Sequence, residues 1–375
     1  MREFIAEHIQ NPLLYVIVIA VAFLLSFLLS PVTIKIAPKI GAMDVPKDLR
    51  RMHTSVMPRF GGLAIFAATE ITLALAAVYD PEMTVILVGG ILIFAVGAYD
   101  DIRGMSAKVK FFLQAVCAVF LYAAGLRIEF VKNPCTLWSD DCPLYIFFPQ
   151  PISFIITVIW IVGITNTVNL IDGLDGLAAG VAAIASGYIA YASALSGQYS
   201  VALAMVTVTG ASLGFIPSNF HPAKTFMGDC GSLYLGFMIA AVSVMGSTKG
   251  ATLIVTIVPV LALGLPIFDT AFAIIRRWVN NVPIMSADKG HVHHRIMNTG
   301  LGQRRTVMIM YCINGIMGMV SIMVVKREFI EACVLTVIAL LLLLVFIADH
   351  SSFKEITREG LDCSEAKKED AEKNE

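Results

Sequence analysis

The chain alternates between long apolar runs and short polar segments. Most of the runs approach the length at which a helix crosses the ~30 Å hydrocarbon core of a bilayer. Eleven of them are predicted to be transmembrane helices, at about residues 13–37, 61–79, 84–99, 109–126, 152–168, 177–195, 200–216, 232–245, 251–275, 306–325 and 329–348. The pattern therefore predicts an all-α polytopic membrane protein.

Composition agrees with this class, because 57% of the residues are hydrophobic and 15% are charged, whereas a soluble domain has ~25% charged residues. The first apolar run is too long for the apolar core of a signal peptide, so it is predicted to remain as a helix. Residues 1–349 are predicted to form one membrane domain. Residues 350–375 are rich in Lys and Glu, which predicts a charged, disordered cytoplasmic tail.

Basic residues predict the orientation, since Lys and Arg stay on the cytoplasmic side of the plasma membrane. With the N-terminus outside, sixteen of the 27 Lys and Arg fall in cytoplasmic loops or helix ends, six fall outside and five lie in the tail. The C-terminus is then cytoplasmic.

The external loop, residues 127–150, carries KNPCTLWSDDCPLYIFF, in which turn residues flank an aromatic run. This pattern predicts a small hairpin. Cys135 and Cys142 would face the oxidising side, where a disulfide and two free thiols are both open. The seven cysteines include no C-x-x-C pair, so a zinc site or a disulfide scaffold is not indicated.

Polar clusters concentrate on the predicted cytoplasmic side. They are AYDD, NTVNLIDGLDG, NFHPAKTFMGDCGS, MSADKGHVHHR and the first loop, DVPKDLRRMHTSVMPRFGG. A carboxylate at a membrane boundary is costly to bury unless it is paired, solvated or bound to a metal. The acids of this face are Asp100, Asp101, Asp172, Asp175 and Asp229. Their convergence beside basic loops favours Mg²⁺ and a phosphorylated substrate over a simple helix stop.

Glycines adjoin these acids, at Gly173, Gly176, Gly228 and Gly231. Glycine lets the backbone approach a ligand closely, and the helix that follows presents N-terminal amides that attract anions. A plain helix break would explain each glycine alone. It would not explain why each break carries an acid.

The segment HVHHR contains His291, His293 and His294. Such a cluster can bind zinc, but no cysteine is nearby, and Lys289 and Arg295 would repel a cation. Histidines among basic residues are better suited to hold a diphosphate. Anion binding is therefore preferred to a zinc site and to a solvated loop.

Four motifs in this order, AYDD, NxxNLIDGLDGLA, PAKTFMGDxGS and ADKGHVHHR, resemble the polyprenyl-phosphate N-acetylhexosamine-1-phosphate transferases of glycosyltransferase family 4. The resemblance extends over residues 13–348. The muramoyl-pentapeptide branch of the family carries three consecutive histidines and a lysine-rich first loop. Here Val292 interrupts the run and His53 stands where a lysine is expected, so the chain is more similar to the undecaprenyl-phosphate GlcNAc-1-phosphate branch.

The resemblance implies a membrane enzyme that transfers N-acetylglucosamine 1-phosphate from UDP-GlcNAc to undecaprenyl phosphate and releases UMP. Mg²⁺ is the implied cofactor, with Mn²⁺ as a substitute. The product would begin a cell-wall, teichoic acid or surface polysaccharide pathway. Partners implied are the two substrates, membrane lipid and a second copy in a homodimer, with no nucleic acid. The alternative donor is UDP-MurNAc-pentapeptide.

The resemblance also implies roles for individual residues. Asp100 and Asp101 would lie beside the lipid phosphate, and Asp100 would orient or deprotonate it. Asp229 would bind Mg²⁺ together with Asp175, and His291 would act in catalysis. The residues expected to bind substrate are Asn169, Asp172, Asp175, Phe226, His293, His294 and Arg295, with Lys47, Arg51 and His53 from the first loop. Phe226 would stack on uracil.

Two rival interpretations are weaker. The stretch from Asp172 to Ala179 matches the opening of the CDP-alcohol phosphotransferase signature D-x-x-D-G-x-x-A-R, but Gly180 replaces the Arg and the two later acids are missing. A cation-coupled transporter would need acids near mid-membrane. The acids here lie at helix ends, and Glu70 is taken as the only one well inside a span.

Overall fold

The computed structural model describes residues 11–45, 56–76, 80–133, 135, 142–248, 253–280, 291–298 and 300–344. Within these ranges the chain is helical apart from two short hairpins and the connecting loops. The helices are α1 Pro12–Ile40, α2 Gly62–Leu75, α3 Pro81–Arg103, α4 Ala107–Ala123, α5 Gln150–Leu170, α6 Leu177–Leu195, α7 Tyr199–Asn219, α8 Gly228–Thr248, α9 Leu253–Ala262, α10 Gly264–Val279, α11 Val292–Asn298, α12 Gln303–Lys326 and α13 Phe329–Leu344. The strands are β1 Met43–Asp44, β2 Met57–Pro58, β3 Phe130–Lys132 and β4 Tyr145–Phe147.

Seven of the described helices are long and apolar enough to cross a membrane: α1, α3, α5, α6, α7, most of α8, and α12. Two shorter apolar helices, α2 and α13, coincide with further predicted spans. The all-α polytopic class is therefore confirmed. The count of eleven spans and the orientation stay predictions.

The predicted span at residues 251–275 is wrong as a single helix, because the chain forms α9 and α10 with a break at Leu263. Pro266 has no backbone N–H for the carbonyl of Ala262, and proline in a helix interior breaks the hydrogen-bond ladder. The stripe of Phe268, Phe272 and Ile275 on α10 is exposed, whereas Asp269 is buried. Glu70 is thus not the only acid well inside a predicted span.

Helix α8 forms the centre of the bundle, since every residue of its span from Gly228 to Gly246 is buried. Close packing depends on small residues. A Cβ on Gly97 of α3 would lie 2.5 Å from the carbonyl oxygen of Asp229, and one on Gly62 of α2 would lie 2.2 Å from Gly231 Cα. Small residues are the usual means by which membrane helices bring their backbones together. They place the N-terminus of α8 directly against α2 and α3.

Backbone hydrogen bonds join the end of the first loop to the segment that precedes α8. Phe226 N–H donates to the carbonyl of Pro58 at 2.8 Å, and Gly61 N–H donates to the carbonyl of Phe226 at 3.0 Å. Gly62 N–H donates to Met227 O at 2.8 Å. This pairing fixes Arg59, which lies between the paired residues, at the N-terminal end of α8.

The predicted external hairpin is present as the antiparallel pair β3 and β4, in which Phe130 is opposite Phe147. Cys135 and Cys142 form a disulfide, which decides between the two alternatives left open by the sequence. Phe147 is exposed, and its ring lies 5.4 Å from that of Phe130. The hairpin lies between α4 and α5 in the chain, whereas Asp100 and Asp101 lie at the end of α3 and Asp172 and Asp175 follow α5.

Candidate active site

The end of α3, the start of α4 and the start of α8 bring acids and bases together. Lys110 Nζ contacts the carboxylate of Asp100 and lies 2.6 Å from Asp229 Oδ2. Arg59 Nε lies 3.1 Å from Asp101 Oδ1, and Arg59 Nη2 lies 3.3 Å from Asp229 Oδ2. Burial alone would lower the pKa of Arg59, but Asp229 and the other nearby carboxylates raise it by more than burial lowers it. The pKa of Arg59 is therefore above its ordinary value, and the guanidinium stays charged.

Asp101 holds the N-terminus of α8 in place. Its Oδ1 accepts the backbone N–H of Asp229 and its Oδ2 that of Cys230, both at 2.9 Å. A carboxylate at this position satisfies N–H groups that have no partner within the helix and complements the positive end of the helix dipole. Gly228 has φ +75°, and a Cβ there would lie 2.5 Å from Asp101 Oδ2. The contact thus requires glycine before Asp229.

Asn169, at the end of α5, is hydrogen-bonded to Asp229, while its role in substrate binding stays a prediction. Asn169 Nδ2 donates to Asp229 Oδ1 at 2.9 Å and to Ser232 Oγ at 2.8 Å. Asp229 Oδ1 therefore accepts from the Asn169 amide, and Asp229 Oδ2 lies between Lys110 and Arg59.

Asp172 lies in the turn between α5 and α6 and has no side-chain hydrogen bond within the described residues. Burial and, next, the charge of Asp229 raise its pKa to about 7, although Arg59 acts in the opposite direction. Asp100, Asp101, Asp172 and Asp229 face two cations, Arg59 and Lys110, and this set is called the acidic cluster below. Fully ionised, the acidic cluster has an excess of negative charge.

Asp175 fixes the loop before α8. Its Oδ2 is 2.8 Å from His221 Nδ1 and accepts the N–H of Ala223 at 3.2 Å. Asn219 supports the same loop, since its Oδ1 accepts Gly176 N–H at 3.0 Å and its Nδ2 donates to Thr225 O at 2.9 Å. The hydrogen bonds of Asp175 thus join it to residues 221–223. Metal binding by Asp175 stays a prediction.

The histidine segment docks on the same turn. A Cβ on Gly173 would lie 2.8 Å from His293 Nε2, so the absent side chain at Gly173 makes room for that ring. His293 is 1% exposed. Burial, followed by the nearby His294, lowers the pKa of His293 to about 3, so its ring is neutral. Its Nδ1 has no hydrogen-bond partner within the described residues, which leaves one ring nitrogen for a ligand.

His291 is held by a residue that the sequence did not reveal as part of the site. Its Nδ1 lies 2.9 Å from Asp269 Oδ2, and Val292 N–H donates to Asp269 Oδ1 at 3.0 Å. His294 lies beside His293, with ring centroids 4.4 Å apart. The predicted histidine cluster is thus close to the turn that carries Asp172.

The other residues predicted to bind substrate have fewer described contacts or lie outside the described residues. Phe226 is half-buried, and its backbone is held between Pro58 and Gly61. The guanidinium carbon of Arg295 lies 5.9 Å from the centre of the Phe272 ring on α10. Lys47, Arg51 and His53 lie outside the described residues, as does the tail.

The predicted Mg²⁺ site depends on which side chains near Asp229 can supply oxygen ligands. Among the described residues, no group of three or more His, Cys, Asp or Glu is arranged to hold a metal ion. However, Asp100 and Asp229 both contact the Lys110 ammonium, so these two carboxylates already share a cation. Carboxylate oxygens are the ligands that Mg²⁺ prefers. Asp100 and Asp229 therefore supply donors of the type that Mg²⁺ takes, and the binding of Mg²⁺ stays a prediction.

Reasoning from sequence missed five residues that build this site: Arg59, Lys110, Asn219, His221 and Asp269. Arg59 and Lys110 enter the sequence analysis only within the count of cytoplasmic Lys and Arg, although Arg59 lies in the polar first loop. Asp269 had a usable signal, because an acid inside an apolar run is costly and marks function by default.

Comparison with known proteins gives relatives along nearly the whole chain. The family model described as "Glycosyl transferase family 4" matches residues 83–247. A Bacillus subtilis (strain 168) protein named a probable undecaprenyl-phosphate N-acetylglucosaminyl 1-phosphate transferase is 40% identical over 91% of this chain and 95% of its own. A Mycobacterium tuberculosis (strain ATCC 25618 / H37Rv) decaprenyl-phosphate N-acetylglucosaminephosphotransferase is 33% identical over 75% of each chain. A Yersinia pestis undecaprenyl-phosphate alpha-N-acetylglucosaminyl 1-phosphate transferase is 26% identical over 90% of each.

Proposed function

The chain belongs to glycosyl transferase family 4, and from this premise we propose that it transfers N-acetylglucosamine 1-phosphate from UDP-N-acetylglucosamine to undecaprenyl phosphate. It is a multi-pass protein of the plasma membrane. The single observation that carries the proposal is the 40% identity to the Bacillus subtilis relative over almost the full length of both chains. The acidic cluster supplies a site at which such a reaction can take place.

The reaction needs positioning and charge neutralisation more than covalent help from the protein. An oxygen of the lipid phosphate attacks the phosphorus that carries the sugar, and the bond from that phosphorus to the oxygen of UMP breaks. The products are UMP and undecaprenyl diphosphate N-acetylglucosamine. The protein has to bring three negatively charged phosphates together, and the cations Arg59 and Lys110 are placed to offset that charge.

Asp100 is the acid best placed to act on the lipid phosphate. Asp101 is occupied by two backbone N–H groups and Arg59, whereas Asp100 contacts the flexible side chain of Lys110. When Lys110 turns toward a phosphate, Asp100 is released. The structure thus supports a division in which Asp101 holds α8 and Asp100 is free to orient the acceptor.

We propose Mg²⁺ as the cofactor, with Mn²⁺ as a substitute. Asp229 would hold it together with one oxygen of Asp100, whose other oxygen remains for the acceptor. Asp175, the second ligand predicted from the sequence, has its Oδ2 bonded to His221 and Ala223. When bound, the ion would neutralise charge on phosphate oxygens, which would favour departure of UMP. Asn169 keeps Asp229 in position through its hydrogen bond. Arg59 contacts Asp229 Oδ2 at 3.3 Å and also holds the carboxylate in place.

The nucleotide sugar is expected to lie against the turn of Asp172 and the histidine segment. His293 is neutral and has an unpartnered Nδ1, which suits hydrogen bonding to a sugar or diphosphate oxygen. Asp175 orders the loop that leads to Phe226 through His221 and Ala223. Asp175 thereby helps to position Phe226, the residue predicted to stack on uracil, without contacting the base itself.

The test uses purified full-length protein in lipid nanodiscs with undecaprenyl phosphate and Mg²⁺. UDP-GlcNAc, UDP-GalNAc and UDP-MurNAc-pentapeptide are supplied in parallel, and UMP release is measured. We expect UMP from UDP-GlcNAc at the highest rate. Preference for UDP-MurNAc-pentapeptide would favour the alternative donor, and no UMP from any of the three would overturn the enzyme assignment. Decaprenyl phosphate in a second series measures the choice of acceptor, because the Mycobacterium relative is named for that lipid.

The product is a sugar attached to lipid through a diphosphate. It stays in the membrane and retains free hydroxyl groups, so it can accept further sugars. We propose on this basis that it is the starting lipid for a cell-wall or surface polysaccharide such as teichoic acid.

A further inference from the structure

The carboxylate of Asp269 on α10 is buried and is used entirely by the histidine segment. It is 4% exposed, and its two oxygens contact His291 Nδ1 and the backbone N–H of Val292, at 2.9 and 3.0 Å. Burying a carboxylate is costly unless hydrogen bonds compensate it. Both oxygens are compensated here, and both bonds go to the start of α11.

We propose that Asp269 is a positioning residue that sets the tautomer and orientation of His291. The proposal rests on the proposed function, in which the histidine segment lies against the nucleotide sugar, and on the catalytic role predicted for His291. Asp269 does not need to touch either substrate in order to act in this way.

The direction of the hydrogen bond follows from the donors available. An ionised carboxylate only accepts, and imidazole is the stronger base of the two, so the shared proton lies on His291 Nδ1. Nε2 is then the ring nitrogen left for substrate. Within the described part of the chain, Nε2 has no hydrogen-bond partner. A histidine whose Nδ1–H is fixed by a carboxylate presents Nε2 in one defined orientation.

The second contact fixes the segment as well as the ring. Because Oδ1 holds Val292 N–H, the first turn of α11 cannot shift without breaking the pair to His291. The rings of His291 and His293 are parallel within 4° at 5.7 Å, and His293 packs on Gly173. Asp269 therefore fixes the position of α11 relative to the turn that carries Asp172.

The variant Asp269→Asn separates these two functions. Its amide oxygen can still accept Val292 N–H, but its amide NH₂ then faces His291 Nδ1. Nδ1 must become an acceptor, which moves the ring proton to Nε2. Asp269→Glu keeps a carboxylate and is expected to retain the Nδ1–H form.

The first measurement is independent of substrate. Protein labelled with ¹⁵N at the histidine ring is examined by NMR, and the His291 signals are assigned with His291→Gln among the seven histidines. We expect a protonated Nδ1 in the wild type, a protonated Nε2 in Asp269→Asn, and the wild-type pattern in Asp269→Glu. A wild-type His291 with Nδ1 unprotonated, or an unchanged pattern in Asp269→Asn, would overturn the proposal. This result stands whether or not the protein accepts UDP-GlcNAc.

The second measurement is UMP release. Asp269→Asn is expected to lower kcat by at least about tenfold with little change in the KM for UDP-GlcNAc, and Asp269→Glu to recover part of the loss. Glu129→Gln, which removes one partner of an exposed pair with Arg127, is the control and should keep the wild-type kcat. A wild-type kcat in Asp269→Asn, or an equal loss in Asp269→Glu with no recovery, would contradict a positioning role. If the wild type releases no UMP, the proposed function fails and the NMR result alone decides the role of Asp269.

Discussion

The carboxylate of Asp101 on α3 accepts the backbone N–H of Asp229, the first acid of α8, at 2.9 Å. The adjacent acids Asp100 and Asp101 therefore do different work. Asp101 fixes the helix that presents Asp229, and Asp100 faces Lys110 together with Asp229. Two adjacent acids that are indistinguishable in the sequence are separated by their partners.

Asp101→Asn is expected to loosen the N-terminus of α8. An amide has one accepting oxygen, so one of the N–H groups of Asp229 and Cys230 loses its acceptor and faces an NH₂ group. Leaving a buried donor unpaired costs about 1–3 kcal/mol. Thermal unfolding in detergent should show a lower midpoint, and UMP release should fall sharply. Glu129→Gln serves as the charge control, and an unchanged midpoint in Asp101→Asn would contradict the capping role.

Lys110→Met is expected to open the metal site while it impairs the reaction. Removing the ammonium frees Asp100 and Asp229 and leaves the acidic cluster with one cation fewer. Divalent cations should then bind more tightly, because nearby uncompensated carboxylates attract them. Mn²⁺ binding followed by electron paramagnetic resonance measures this affinity directly. Weaker Mn²⁺ binding in the variant than in the wild type would argue against Lys110 as a stand-in for the cation.

Removal of metal tests the cofactor proposal separately. EDTA is expected to abolish UMP release, Mg²⁺ to restore it, and Mn²⁺ to restore part of it. Asp229→Asn should lose activity at every Mg²⁺ concentration. Full activity of the wild type after dialysis against EDTA would exclude Mg²⁺ from the mechanism.

Gly173→Ala is expected to displace the histidine segment. The added Cβ would lie 2.8 Å from His293 Nε2, closer than side-chain atoms pack, so either the turn or α11 must move. UMP release should fall, with a smaller effect on unfolding. Gly315→Ala is the matched control, since its Cβ meets no atom within 4 Å and alanine favours the helix. Equal activity of the two variants would contradict the packing of His293 on this turn.

Asp172 should make stability depend on pH in the metal-free protein. Its folded pKa, about 7, is above the ordinary value for Asp, ~3.9. Between these values the folded state binds more protons than the unfolded state, so stability falls as pH rises from about 4 to 7. Asp172→Asn removes this pH dependence, so the variant should exceed the wild type in stability by the largest amount at pH 8. Unfolding midpoints of both proteins at pH 5 and pH 8 measure this difference in stability. A larger stabilisation by Asp172→Asn at pH 5 than at pH 8 would contradict the raised pKa of Asp172.

Much of the fold follows from local signals, because apolar runs such as that of α1 predict their own helices. Sequence analysis does not predict the break at Leu263, because the residues around it stay apolar and the helix-breaking residues Pro259, Gly264 and Pro266 are embedded among them. The acids Asp100, Asp101 and Asp229 were found because charge at a membrane boundary is conspicuous. Their partners were not, because which base meets which acid depends on helix packing. Asp269 lies 22 residues from His291 in the chain, and nothing local in the sequence joins the two.

The most direct test of the central claim follows the phosphate between nucleotide and sugar. UDP-GlcNAc radiolabelled only in its β-phosphate is incubated with the nanodisc-embedded protein, undecaprenyl phosphate and Mg²⁺, and the lipid and aqueous phases are separated. Transfer of N-acetylglucosamine 1-phosphate places the label in the lipid and leaves unlabelled UMP in the aqueous phase. Label that remains in the aqueous phase as UDP, with the sugar alone on the lipid, or no transfer at all, would contradict the account.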